Sequence, residues 1–75
     1  MHVDRVFGTI LKEIRNQKGI SQSELANRSD LDRTYISLLE RGLRQPTLET
    51  LFKLADALNI KPSFIIQKME SENEN

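Results

Sequence analysis

Gly19-Ile20-Ser21-Gln22-Ser23-Glu24-Leu25-Ala26-Asn27-Arg28-Ser29-Asp30-Leu31-Asp32-Arg33-Thr34-Tyr35-Ile36-Ser37-Leu38-Leu39-Glu40-Arg41-Gly42 is the stretch that decides the fold. Ser21 with Glu24 three residues on is a capping-box pattern: the serine oxygen accepts from the N3 amide while the glutamate reaches back to the serine amide. A helix therefore starts just after Ser21. It is short, because Ser29-Asp30-Leu31-Asp32 is a turn-forming cluster in which Asp30 tolerates a left-handed conformation and Asp32 is suited to cap a further helix. That helix runs from about Arg33 to Arg41, with Gly42 as its stop. Leu25, Leu31, Ile36 and Leu39 fall where they hold two crossed helices together, and the small Ala26 permits a close crossing.

Working outward, the apolar residues keep helical rather than alternating spacing, so no strand is expected. Val3, Phe7, Ile10 and Ile14, flanked by Val6 and Leu11, form one buried face of a first helix that Lys18 and Gly19 end. After the break at Gln45-Pro46-Thr47, Thr47 is an N-cap and Glu49 sits in a first turn, where negative charge suits the helix dipole. Leu48, Leu51, Leu54, Ala55 and Leu58 then make a buried stripe, closed by Asn59. Pro62 begins a fifth helix, whose Phe64, Ile65, Ile66 and Met69 exceed what one core-facing stripe needs. The expectation is that these four face a second subunit.

A chain of 75 residues holds one domain and buries only about 60% of its unfolded surface, a thin core that usually needs disulfides, metal or association. There is no cysteine, and His2 is the one histidine, so neither a disulfide nor a zinc site is expected and association is. The eleven basic and eleven acidic residues balance. Their distribution is uneven: residues 1–46 carry eight basic against six acidic, and the remainder three against five. Much of that negative charge lies in residues 70–75, which read as an acidic disordered tail. Residues 1–69 are then the domain, with a dimerisation helix at about 62–69. Without a long apolar run, no signal peptide or membrane span is expected, and a cytoplasmic location is.

The paired helices have the organisation of a helix-turn-helix, and the strings Gly19 to Ala26, Leu31 to Ser37 and Leu39 to Gly42 strongly resemble the Cro/C1-type (XRE) family over residues 7–66. That resemblance implies an all-α, five-helix, lambda-repressor-like DNA-binding domain whose second and third helices form the motif. Within the family, Arg33-Thr34-Tyr35-Ile36-Ser37 looks most like the controller proteins of restriction–modification systems, small dimeric regulators of their own operons. Asp30 stands where the family's turn usually has glycine. The resemblance also implies that Arg15 and Glu40 are a structural salt bridge rather than a functional pair.

A recognition helix must expose side chains to base edges while its other face stays packed. With Ile36 and Leu39 inward, Arg33, Thr34, Ser37 and Leu38 are the candidate base contacts. Arg33 can donate two hydrogen bonds to guanine, Thr34 and Ser37 can read either base type, and Leu38 can meet a thymine methyl. Gln22, at the start of a helix, suits a phosphate, as the resemblance also implies. Tyr35, Arg41, Arg44 and Gln45 are the further phosphate candidates. Lys12, Lys18 and Arg28 read as solvated helix faces. Asp30 and Asp32 have no accompanying nucleophile and base, so no catalysis, cofactor or small-molecule ligand is expected. Two functions stay open: a homodimeric regulator on double-stranded DNA with a partly palindromic operator, and an antitoxin or other module whose main partner is a polypeptide.

Overall fold

The computed structural model describes residues 1–73 as five helices: α1 (Val3–Gln17), α2 (Gln22–Ser29), α3 (Arg33–Glu40), α4 (Leu48–Ala57) and α5 (Pro62–Asn73). No helix among them is long and apolar enough to cross a membrane. The connections reflect local chemistry. Ser21 Oγ accepts from the Glu24 amide at 3.0 Å, which satisfies one of the donors a helix start leaves unpaired. The reciprocal half of the capping box is replaced, since the Glu24 carboxylate pairs with Arg28 one turn along α2. Asp30 takes the left-handed conformation, φ 57° and ψ 40°, and the Leu31 amide then reaches the Ala26 carbonyl at 3.0 Å. Asp32 occupies the N-cap of α3, but its side chain makes no capping hydrogen bond.

Gly42, at φ +73°, turns the chain out of α3 as expected. Thr47 caps α4 by accepting from the Thr50 amide at 3.1 Å, and Asn59 closes that helix in the left-handed region at φ 59°.

One core joins all five helices. Phe7, Leu11 and Ile14 of α1, Leu25 of α2, Ile36 and Leu39 of α3, Leu54 of α4 with Leu58 just after it, and Ile65 of α5 are its fully buried side chains. Helix α1 lies against both α3 and α5, and α2 packs on α3 and α4. The α1 to α3 approach is so close that a Cβ on Gly8 would lie 2.3 Å from the Leu39 carbonyl oxygen and 2.9 Å from that of Glu40.

Several expectations are corrected. Leu48, the first residue of α4, is 76% exposed and lies at the rim of a cavity beside Val3 and Ile66 rather than in the core. Val3, the first residue of α1, is likewise exposed. Ile65 is fully buried and Met69 nearly so within the chain itself, because α5 is needed to close the core over α1 and α4. Those two side chains are not available to a partner. Of the four apolar residues assigned to a dimer interface, Phe64 and Ile66 remain exposed. Two residues apart on a helix, they point about 200° from one another. Ile66 borders a cavity of about 300 Å³ with Val3 and Leu48, whereas Phe64 borders a separate depression with Ile60 and Lys61.

The disordered tail is corrected as well. Helix α5 continues through Asn73; no Gly or Pro interrupts residues 70–73, and Glu72 lies with Arg5, Val6, Thr9 and Ile10 of α1 around a small cavity. Packing of α5 on α1 thus carries the helix past the point where composition alone would end it. Residues 74 and 75 lie outside the described residues.

Candidate nucleic-acid interface

Helices α2 and α3 are fixed at their junction by Leu25, Ile36 and Leu39 and at their far edge by a buried ion pair. Arg15 of α1 donates from Nε to Glu40 Oε2 at 2.7 Å and from Nη2 to Glu40 Oε1 at 3.0 Å, a bidentate pair joining α1 to the end of α3. Its Nη1 donates to the Ile20 carbonyl at 2.9 Å, anchoring the turn that leads into α2. The hydrogen bonds to Glu40, outweighing the penalty of burial, hold the Arg15 guanidinium above the ordinary arginine range. A raised pKa adds stability at every pH below the unfolded-state value and loses it only as pH rises through the folded-state value, so the Arg15 contribution is fully present at neutral pH.

With its inner face locked, α3 presents its start to solvent. Arg33 and Thr34 are exposed, with no acidic residue in the first turn. Ser37 and Leu38 are half-buried, so the exposed edge of α3 is narrower than expected and is led by Arg33 and Thr34. Tyr35 is half-buried and rests against the core. Arg41, Arg44 and Gln45 are exposed in the loop after α3, where Arg44 donates to the neighbouring Leu43 carbonyl at 2.9 Å. The half-buried Gln22 donates from Nε2 to Glu40 Oε1 at 3.0 Å, so its amide is already held by the ion pair.

Two features were missed in the sequence. Gly42 sits against α1: a Cβ there would lie 3.1 Å from the Cα and Cγ of Arg5, which places another exposed arginine beside the Arg41–Gln45 loop. Only the tertiary fold makes that juxtaposition. Phe52, one turn after Leu48 on α4, is 60% exposed. The signal for it was present, since Leu48 and Phe52 share an i, i+4 spacing beside the main stripe.

The Helix-turn-helix family profile matches residues 11–65. The control protein C.BamHI of Bacillus amyloliquefaciens is 40% identical over 62 residues, covering 81% of this chain and 76% of that protein. The crystal structure of the restriction–modification controller protein C.AhdI from Aeromonas hydrophila superposes with a TM-score of 0.78 at 47% identity, over 80% of this chain and 91% of that one. The controller protein C.Esp1396I, solved as a tetramer with its natural 35 base-pair operator, matches with a TM-score of 0.88 at 32% identity, over 97% of this chain and 96% of that one. By the span of the family match, and by the helix pair that the Arg15–Glu40 bridge locks in place, the chain belongs to the Cro/C1-type helix-turn-helix family.

Proposed function

We propose that this chain is a sequence-specific DNA-binding transcriptional regulator, working as a homodimer on a partly palindromic operator, and that it controls its own operon as restriction–modification controllers do. The observation that carries the reading is the start of α3: its inner face is fixed in the core while Arg33 and Thr34 stand clear of the protein. Arg33 is the principal base reader, through paired hydrogen bonds to guanine, with Thr34, Ser37 and Leu38 supporting it. Gln22, Tyr35, Arg41, Arg44 and Gln45 position the protein on the phosphates. The similarity to C.Esp1396I, whose structure holds operator DNA, supports the same class of ligand.

The test is binding of labelled DNA from upstream of the protein's own gene, compared with a scrambled duplex across a salt series. Arg33→Ala is expected to weaken binding to the upstream site by about 1–3 kcal/mol and to leave scrambled DNA nearly unaffected. Wild-type binding that is weak, steeply salt-dependent and equal on both duplexes would sink the sequence-specific reading.

The dimer uses the exposed apolar residues on the Leu48 side of the chain: Leu48 and Phe52 of α4 with Ile66 of α5. Sedimentation should give the mass of two chains for wild type and of one for Phe52→Glu/Ile66→Glu, with operator affinity lost alongside. If wild type is a monomer, those residues instead face a polypeptide of another kind, and the antitoxin-like reading takes over.

A further inference from the structure

The buried ion pair carries a third hydrogen bond beyond the two that join α1 to α3. Glu40 Oε1 accepts both from Arg15 Nη2 and from Gln22 Nε2, each at 3.0 Å, and the Glu40 side chain is 2% exposed. A carboxylate opposite an arginine accepts and does not donate. It therefore selects the nitrogen end of the Gln22 amide and turns the carbonyl end away. Gln22 is the first residue of α2, directly after the Ser21 cap, and is itself half-buried. A long, unbranched side chain at a helix start ordinarily samples several rotamers. Here one hydrogen bond to an immobile partner restricts it.

We infer that Glu40 is a positioning residue for DNA binding: its buried carboxylate holds the Gln22 amide at the start of α2 so that the second N–H of that amide meets a DNA phosphate. The inference rests on the DNA-binding function proposed for the chain. The role of Arg15 is electrostatic. A bare carboxylate this close to a phosphate would repel it, and the bidentate guanidinium cancels that charge. The same three side chains thus tie α1, α2 and α3 together and orient a phosphate donor, with no net charge added at the interface. Because Gln22 is neutral and displaces no counterion, its contribution leaves the salt dependence of binding unchanged, unlike that of Arg41 or Arg44.

The experiment is a double-mutant cycle on full-length protein, read by affinity for a fluorescent duplex of arbitrary sequence, since phosphate contacts carry no base information. Gln22→Ala is expected to weaken binding by roughly tenfold with an unchanged salt slope, whereas Glu40→Gln leaves the Arg15 charge uncancelled and steepens the slope, and adding Gln22→Ala to it should cost no further tenfold. In the free protein, the side-chain amide proton resonances of Gln22 should shift in Glu40→Gln. If Glu40→Gln does not fold, Arg15→Met/Glu40→Leu replaces the pair by apolar side chains of similar size; it should lose the same tenfold, and again lose nothing more on adding Gln22→Ala. Additive losses, or full affinity in the charge-balanced Arg15→Met/Glu40→Leu variant, would overturn the positioning role while leaving the DNA reading intact. Failure of the wild type to bind any duplex would overturn both.

Discussion

Gly8→Ala is expected to destabilise the protein by at least about 3 kcal/mol, the upper end of what overpacking costs. For a domain of this size that lowers the melting midpoint by more than about 12 °C. The sign is the informative part. Alanine in the middle of a helix is ordinarily better than glycine by roughly 1 kcal/mol, so propensity alone predicts a gain at this position inside α1 (Val3–Gln17). The structure predicts the opposite, because the added Cβ would lie 2.3 Å from the Leu39 carbonyl oxygen and 2.9 Å from the Glu40 carbonyl oxygen. Both neighbours are backbone at the end of α3 and cannot rotate aside. Relief requires α1 and α3 to separate, which pulls Phe7, Leu11 and Leu39 apart. Since the Arg15–Glu40 bridge spans the same two helices, its geometry would loosen with them. Gly19→Ala is the control: Gly19, unlike the helical Gly8, has a left-handed conformation, φ +71°, but nothing lies within 4 Å of its Cβ position. It should lose only about 1–2 kcal/mol, from the left-handed backbone alone. Thermal melts of the two variants check this, and a stabilised Gly8→Ala would show that α1 does not approach α3 so closely.

Gly8 marks the boundary of what the sequence discloses. The five helices were legible because their ends are written locally: Ser21 and Thr47 as caps, Asp30, Gly42 and Asn59 as left-handed exits, Pro62 as an entry. Arg15 with Glu40 was legible through family resemblance, since no periodicity relates residues on different helices. Contacts between helices were not legible. Periodicity identifies Ile65, Ile66 and Met69 as apolar, but it cannot say which side of α5 the core takes, and the surplus misassigned Ile65 and Met69 to a partner. Leu48 and Val3 fit their stripes by spacing yet, as the first residues of their helices, stay exposed. At the candidate site, Arg33 and Thr34 were read correctly as exposed, whereas the engagement of Gln22 by Glu40 and the approach of Arg5 to Gly42 depend on how α1 crosses α3.

Arg15→Met carries the other large expected effect, about 3–5 kcal/mol of lost stability, the usual result of removing one partner from a buried pair. The side chains of Arg15 and Glu40 are 11% and 2% exposed, so loss of the guanidinium strands the carboxylate in the interior with the Gln22 amide as its remaining partner. The Ile20 carbonyl also loses its donor, which unhooks the turn before α2. Against a total of about 5–15 kcal/mol for ordinary domains, and toward the lower end for so short a chain, this places the variant near its unfolding threshold. Arg15→Lys should fall between, because one ammonium keeps the charge but lacks the fork that reaches both carboxylate oxygens and the carbonyl together. Replacing both members, Arg15→Met/Glu40→Leu, should recover most of the loss, since apolar side chains of similar volume often serve a core as well as the pair they replace. Urea melts of the three variants decide the matter. If the double variant is as unstable as Arg15→Met, the bridge stabilises the fold through the bond to Ile20 and the geometry of the turn; if it recovers, the damage in the single variant comes from the stranded charge on Glu40. In that second case the fold itself does not need the ion pair, and its place between α1, α2 and α3 is explained by what it does for Gln22.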